Sequence, residues 1–150
     1  MARQVGTSSP VRAPAVARVV WPPTRIIIPA LGVDEVVVDG TDGPALRRGP
    51  GHQLGTALPG EVGNCVIAGH RNVYGSPFAR LNELSMGDLI ELKTPHHTVR
   101  YNVLGQFSAN DSDTSVLRPS PQDRPPRLTL ITCTVPHSWR RIVLVAESTS

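Results

Sequence analysis

The runs Thr129-Leu130-Ile131-Thr132-Cys133 and Arg141-Ile142-Val143-Leu144-Val145-Ala146 predict the two strands that decide the fold. The second run begins eight residues after Cys133. A third apolar run, Cys65-Val66-Ile67-Ala68, is followed directly by Gly69-His70. Cys133, His70 and Arg141 thus lie at or near the ends of three predicted strands. A thiol and an imidazole that are distant in sequence are a candidate pair for nucleophilic catalysis once the fold brings them together.

The length and composition predict one all-β domain. The chain has 150 residues, 39% of them apolar, with 15 prolines and 13 glycines, which favours many turns and short strands over long helices. Residues 1–20 are predicted to form a flexible tail, and residues 21–150 the single folded domain. Strands are predicted at 25–28, 33–38, 64–69, 89–92, 99–103, within 104–113, at 127–132 and at 141–147.

Three short helical segments are predicted between the strands. One turn is expected near Ala45-Leu46, and another at 116–119 that is stopped by a proline. A helix is expected to begin at Ser76-Pro77, because Ser caps helix N-termini and Pro is tolerated at the first helical position. The apolar residues that follow it recur every three positions, at 78, 81 and 84.

The charge pattern does not predict a nucleic-acid partner. The net charge is +3, but the basic residues are scattered and only 4% of the chain is aromatic, whereas single-stranded nucleic acid is bound by basic grooves with stacking aromatics. No stretch approaches the roughly 20 apolar residues that cross a membrane, and residues 1–20 have no apolar core like that of a signal peptide. We expect no cofactor.

The two cysteines have different expected roles. Cys65 precedes His70 by five residues, which on a strand is roughly 16 Å, so a disulfide to a thiol beside His70 is not expected. We interpret Cys65 as a core residue and Cys133 as the reactive one. His96 and His97 lie in a polar turn and are expected to be exposed. His137 stands four residues after Cys133, but no second pair of ligands exists, so no metal site is expected.

The chemistry assigns a role to each candidate. A neighbouring imidazolium or guanidinium lowers the pKa of a thiol and stabilises the thiolate of Cys133. Arginine does not act as a base, so Arg141 would bind the substrate backbone or the developing oxyanion, and His70 would protonate the departing amine. Arg140 competes with Arg141, but successive strand residues face opposite sides, and Arg141 directly precedes the apolar run.

The sequence TLITC, followed by an arginine that opens a strand, resembles the signature of sortases, the cysteine transpeptidases of Gram-positive cell surfaces. The resemblance covers roughly residues 21–147, and its order and spacing are similar to those of the actinobacterial class E subgroup. One departure is Gln53, where that subgroup often has an aromatic residue. The matching segments outside TLITC are 25–33, 55–60, 63–64, 68–71, 74–78, 81, 84, 87–88 and 90.

The resemblance implies a closed barrel of seven or eight strands with one or two short helices, and a thiol site of His70, Cys133 and Arg141. It further implies that the enzyme cleaves a C-terminal sorting signal of the Leu-Ala-X-Thr-Gly or Leu-Pro-X-Thr-Gly type between Thr and Gly. The protein would be transferred to an amine of a cell-wall precursor or a pilin, outside the cell membrane, to which the enzyme would be held only by an anchor that this chain does not contain. Implied substrate-binding residues are Ala68, Tyr74, Ile131 and Thr132.

Two alternatives stay open at this point. A cysteine peptidase would pass the acyl group only to water. A non-catalytic β-barrel binding module would leave Cys133 inert toward thiol-reactive peptides.

Overall fold

A computed structural model of the protein describes residues 21–70, 78–110, 113–133 and 140–149, with residues 133 and 140 described by their backbone. Eight strands close into a barrel, which confirms the predicted fold class. The order around the barrel is β1-β2-β3-β4-β7-β8-β6-β5. The strands are β1 (Thr24–Ile28), β2 (Val33–Asp39), β3 (Gly51–His52), β4 (Asn64–His70), β5 (Leu89–Lys93), β6 (Thr98–Asn110), β7 (Arg127–Cys133) and β8 (Arg140–Ser148).

The described helical segments are short. Helix α1 (Gly43–Arg48) begins after Asp42, whose carboxylate accepts a hydrogen bond from the backbone N–H of Ala45 at 2.9 Å. Three single 3-10 turns cover Pro29–Leu31, Leu81–Glu83 and Ser115–Leu117. The turns predicted near Ala45 and at 116–119 are therefore present.

The structure corrects the sequence-based prediction at three elements. Strand β6 runs unbroken from Thr98 to Asn110, with one irregularity between Val103 and Gly105, where two strands were predicted. Strand β3, only two residues long, was not predicted. The helix predicted from Ser76 is a 3-10 turn at Leu81–Glu83, and Ser76-Pro77 lies outside the described residues.

The barrel interior holds one apolar core. Phe78, Leu81 and Leu84 all pack into it, at 3% exposure or less, so their spacing did predict burial although it did not produce an α-helix. Tyr101 is fully buried at its centre, and its hydroxyl accepts a hydrogen bond from the backbone N–H of Gly60 at 2.9 Å. A buried phenol usually finds such a partner.

Strands β4 and β7 are parallel neighbours in the barrel. Their register pairs Asn64 with Arg127 at the start, Cys65 with Leu128 next, and His70 with Cys133 at the end. The glycine before His70 is required by packing, because a Cβ at Gly69 would lie 2.6 Å from Cδ2 of Phe78. The end of β4 therefore packs closely against Phe78 in the core, and His70 is the last residue of the strand.

Candidate active site

The two parallel strands bring His70 and Cys133 to the same level. Both residues end their strands and are Cα partners in the ladder, and neighbouring strands lie about 4.8 Å apart. The sequence separates them by 63 residues, the difference between positions 133 and 70, so no local pattern brings them together.

Strand alternation puts the two positions on the outer face of the barrel. Cys65 and Ile67 on β4, and Leu128 and Leu130 on β7, belong to the interior core. Ala68 on β4 and Ile131 on β7 instead form a second cluster outside the barrel wall. Positions 70 and 133 follow Ala68 and Ile131 by two residues each, and positions two apart share a face of a strand.

Arg141 lies on this outer face as well. It lines a groove of about 190 Å³ together with Ala68 and Ile131. The register of β7 and β8 pairs Ile131 with Val143. If that register continued for two more residues, it would place Arg141 opposite Cys133. Arg141, one of the two competing arginines, thus lines the groove with two of the predicted substrate-binding residues.

Thr132 fixes the strand next to Arg141. It is fully buried, and its hydroxyl accepts a hydrogen bond from the backbone N–H of Ile142 at 2.9 Å and donates to the carbonyl of Ile142 at 3.4 Å. Its side chain therefore faces away from the groove and holds β8 at the step between Ile131 and Cys133. We interpret Thr132 as a positioning residue for the backbone around Cys133 and Arg141.

One ring nitrogen of His70 lacks a hydrogen bond to the part of the chain that the structure describes. The residue is partly exposed, whereas its Nδ1 is buried and has no hydrogen-bond partner among the described residues. Buried polar atoms are nearly always bonded, and exceptions are concentrated at functional sites. The exposed part of the residue, and not Nδ1, is therefore what a substrate can reach.

His52, another histidine of the barrel, is fully bonded within the structure. Its Nδ1 lies 3.1 Å from Oδ1 of Asp39, and its Nε2 lies 3.1 Å from the carbonyl oxygen of Ala57. The ring stacks on Trp21 with centroids 4.1 Å apart and planes at 9°. The residue is 4% exposed, so His52 joins β2, β3 and the following loop and is not available to a substrate.

The other cysteine is unreactive by its surroundings. Cys65 is 1% exposed inside the barrel, and burial, with a smaller contribution from the charge of Glu61, raises its pKa to about 12. A thiol with such a pKa carries almost no thiolate at neutral pH. Cys65 is therefore the core residue that the sequence predicted.

Loop residues complete the groove, and most of them were not predicted. Val116 and Leu117 belong to the 3-10 turn Ser115–Leu117. They pack against the outer cluster, which consists of Leu46, Val66, Ala68 and Ile131. Polar atoms line the same groove: the hydroxyl of Thr41 donates to Oε1 of Gln53 at 2.9 Å. Tyr74, the remaining predicted binding residue, lies outside the described residues.

One carboxylate lies at the groove. Asp113 accepts hydrogen bonds from the hydroxyl and the backbone N–H of Ser115, at 2.6 and 2.9 Å, which lower its pKa. It is therefore ionised at neutral pH. Among these loop residues, only Val116 and Leu117 could have been found from the sequence, because two adjacent apolar residues in a polar loop indicate packing against the barrel.

The sortase-domain family model matches residues 26–149, nearly all of the described barrel. The chain belongs to the sortase family. Among curated relatives, it is 31% identical over 106 residues to sortase D of Bacillus subtilis, covering 71% of this chain and 51% of the relative. It is 37% identical over 120 residues to sortase SrtE1 of Streptomyces coelicolor, covering 71% of this chain and 34% of that protein. The chain thus spans about half and one third of the length of these two sortases.

Solved sortase structures share the barrel. A Clostridium perfringens sortase D5 transpeptidase superimposes with a TM-score of 0.77 at 32% identity, covering 86% of this chain and 79% of that one. Sortase E of Streptomyces avermitilis gives a TM-score of 0.77 at 31% identity, covering 86% and 88%. Sortases of types D and E resemble the chain equally well, so these comparisons establish the family and not the subgroup. No helix in the described part of the chain is long and apolar enough to cross a bilayer.

Proposed function

We propose that this chain is the catalytic domain of a cysteine transpeptidase that attaches proteins to an amine at the cell envelope. The observation that carries the proposal is the register of the β4–β7 pair, which sets His70 opposite Cys133 at the two strand ends. Arg141 in the adjoining groove adds a fixed positive charge. Membership of the sortase family supports the same chemistry.

The residues divide the reaction between them. The thiolate of Cys133 attacks the carbonyl carbon of the threonine in the sorting signal and forms a tetrahedral intermediate. Arg141 donates hydrogen bonds to the oxyanion, or to the neighbouring substrate carbonyl, in a place where its planar guanidinium remains charged throughout. His70 gives its proton to the departing amine of glycine, leaving a thioester on Cys133.

The second half of the reaction uses the same groups in reverse. An acceptor amine attacks the thioester, and His70 removes the proton that the amine loses on bond formation. The tetrahedral intermediate collapses, the new amide is released, and the thiolate of Cys133 is restored. Water competes with the amine at this step, so hydrolysis is the expected side reaction.

The groove supports a sorting signal with small apolar residues. Its floor consists of Val66, Ala68 and Ile131, and Val116 and Leu117 cover it from the loop side. The groove has a volume of about 190 Å³. We therefore propose a signal of the Leu-Ala-X-Thr-Gly or Leu-Pro-X-Thr-Gly type, in an enzyme of the class E kind.

Family membership supports an amine acceptor and a location at the cell envelope, but neither the particular amine nor the particular surface proteins. Sortases act at the cell envelope, and we propose that this chain works on the outer face of the membrane with surface proteins as donors. The acceptor would be an amine of a cell-wall precursor or of a pilin.

The test is mass spectrometry of the protein incubated with a Leu-Ala-X-Thr-Gly peptide, with and without an added amine. The expected results are a thioacyl adduct on Cys133 and, with the amine, a ligated peptide. Hydrolysis product alone, at any amine concentration, would identify a peptidase. If neither cleavage nor adduct is seen while the barrel is folded, the chain is a binding module and the proposal is wrong.

A further inference from the structure

The turn that covers the groove is tied to the barrel wall by one buried side chain. Val116 and Leu117, in the 3-10 turn Ser115–Leu117, both line the groove, and we call residues 115–118 the groove cover. The side-chain amide of Asn64, the first residue of β4, donates to the carbonyl oxygen of Val116 at 3.1 Å and to that of Arg118 at 3.0 Å. Asn64 therefore holds two backbone carbonyls of the groove cover.

Asn64 is itself fixed by the neighbouring strand. The hydroxyl of Thr129 on β7 donates to Oδ1 of Asn64 at 2.6 Å. Asn64 is 4% exposed and Thr129 is 2% exposed, so the pair is shielded from water. A primary amide offers one acceptor oxygen and two donor hydrogens, and here the oxygen and both hydrogens have partners. The orientation of the amide is thereby determined, because the two backbone carbonyls can only accept.

The pair lies on the same outer face of the barrel as the groove. The outward positions of β4 are 64, 66, 68 and 70, since positions two apart share a face of a strand. Asn64 thus begins the row that ends with His70, and Val66 and Ala68 of the groove floor stand between them. His70 is six residues beyond Asn64, roughly 20 Å along the strand. Asn64 is therefore too far from the reacting atoms to take part in the chemistry.

Apolar packing alone would not fix the position of the groove cover. Val116 and Leu117 pack against the outer cluster. Such contacts are non-directional, so they favour a covered groove without setting where the turn stands above the floor. Hydrogen bonds require short distances and near-linear geometry. The two bonds from Asn64 therefore set that position.

The start of the turn is held only by local bonds among those the structure describes there. Asp113 accepts from the hydroxyl and the backbone N–H of Ser115, and the backbone N–H of Leu117 donates to the carbonyl oxygen of Thr114 at 3.1 Å. These bonds join residues that are close in sequence, so they shape the turn without attaching it to the barrel. Asn64, in contrast, is 52 and 54 residues away from the carbonyls that it holds.

We propose that Asn64, oriented by Thr129, is a positioning residue for the sorting signal. It fixes the groove cover where Val116 and Leu117 close on the small side chains of the signal. The inference rests on the proposed transpeptidation, since the signal is its first substrate. Loosening the amide should widen the groove, which weakens binding of the signal and reduces the preference for small residues, while the chemistry at Cys133 is unchanged.

The attachment is tested without chemistry, by NMR hydrogen exchange in Cys133→Ala protein. Asn64→Asp keeps the shape of the side chain but sets a carboxylate oxygen against two carbonyl oxygens. We expect the backbone N–H groups of Leu117 and Arg118, which are bonded within the turn, to exchange at least about tenfold faster. Asn102→Asp, which adds the same charge at an exposed site of β6 outside the groove, should leave these rates unchanged.

Two variants of Thr129 separate the hydrogen bond from the volume of the side chain. Thr129→Val removes the hydroxyl that orients Asn64 and should accelerate the same exchange about threefold. Thr129→Ser keeps the hydroxyl and should retain the wild-type rates. If Asn64→Asp does not fold, Thr129→Val decides the proposal by the same measurements. Wild-type exchange of the groove cover in a folded Asn64→Asp or Thr129→Val protein would overturn it.

Kinetics then tests the role in signal binding. Cleavage of a Leu-Ala-X-Thr-Gly peptide is compared with cleavage of Leu-Leu-X-Thr-Gly, whose second side chain is larger. We expect Asn64→Asp to raise the KM for the Ala peptide about tenfold, with kcat within about twofold. The preference for the Ala peptide should fall at least about threefold. The rate at which iodoacetamide alkylates Cys133 should be unchanged.

A purely structural role would give a different pattern. Losses confined to kcat, or equal losses for the two peptides that follow the fraction of unfolded protein, would overturn the proposal. An enzyme that cleaves no signal would refute the transpeptidase, and the positioning role is then decided by the affinity of the Ala peptide for Cys133→Ala protein. Equal affinity with and without Asn64→Asp would refute that role as well.

Discussion

The two cysteines lie on the same pair of strands, and their surroundings could hardly differ more. Cys65 forms the second pair of the β4–β7 ladder, opposite Leu128, on the inner face of the barrel, where burial raises its pKa to about 12. Cys133 ends the same ladder opposite His70, five register steps away, and its position alternates onto the outer face. At one end stands an imidazole whose Nδ1 has no hydrogen-bond partner within the described ranges, and at the other a packed aliphatic core.

This contrast in face and register is the reason that we expect the two thiols to differ in reactivity. Both cysteines stand in apolar runs that are equally typical of strands. The barrel removes water and charge from one of them, which favours the neutral thiol. It sets His70 beside the end of the strand that carries the other, and we expect the imidazole there to favour the thiolate.

The largest expected effect separates the two cysteines directly. Cys133→Ala should lower the rate of signal cleavage by at least about 10⁴-fold, since a covalent mechanism has no substitute for its nucleophile. Cys65→Ala should keep activity within about twofold, because Cys65 contacts only the core. The measurement is steady-state cleavage of a fluorogenic signal peptide, with circular dichroism to show that both variants are folded. Equal losses in the two would place the nucleophile elsewhere.

The two histidines sharpen the comparison. His70→Ala should reduce kcat/KM by about 10²–10⁴-fold, the usual contribution of a general acid, and change the free energy of unfolding by less than about 1 kcal/mol. His52→Ala should do the reverse. It removes hydrogen bonds to Asp39 and Ala57 and the stack on Trp21, which we expect to cost about 2–3 kcal/mol of stability. Urea unfolding and kinetics on both variants check this, and a catalytic loss confined to His52→Ala would exchange the assignments.

The two adjacent arginines give a smaller effect. Arg141→Lys keeps the charge but loses the planar fork, and should lower kcat/KM by about 10²-fold. Arg140→Lys, on the alternate face of β8, should stay within about threefold. Both variants are compared at saturating and limiting signal peptide. If Arg140→Lys is the impaired variant, the face assignment of β8 is wrong.

The smallest effect concerns stability at alkaline pH. Because burial raises the pKa of Cys65 above its unfolded value, the folded state holds the proton more tightly. The stabilisation is therefore complete below about pH 9 and is lost as the pH rises toward 12. At about pH 10 the linkage relation gives a loss of about 1.4 kcal/mol. The pKa of Tyr101 is also raised by burial, so it acts in the same direction.

Urea unfolding of Cys133→Ala protein at about pH 8 and about pH 10 measures this loss. Adding Cys65→Ala should remove most of the difference and leave the part due to Tyr101. A pH dependence that is identical with and without Cys65 would show that the thiol is not protonated more tightly in the barrel than in the unfolded chain.

Local sequence was sufficient for the strands that carry the site. β-Branched and aliphatic runs between Gly, Pro and Asp predicted β4, β7 and β8 to within a residue or two, because such residues suit a half-buried pleated surface. Strand β3 escaped prediction because its two residues, Gly51 and His52, have little strand propensity. They form a strand because the backbone groups of β2 and β4 at that level need a partner, and Gly51 and His52 lie between them. The helix expected after Ser76 failed because burial of Phe78, Leu81 and Leu84 needs only a turn.

The sequence by itself determined the fold class and the core position of Cys65, and it predicted three chemically suitable groups at strand ends, with Cys133 as the nucleophile. Only the tertiary structure decided that His70 and Cys133 share a register step, and that Arg141 lines the groove beside Ile131. It alone brought Thr41, Asp113 and Val116 to the groove. The reason is physical. A strand's alternation is local, whereas its partner and register depend on the closure of the whole barrel, in which every strand must satisfy two neighbours at once.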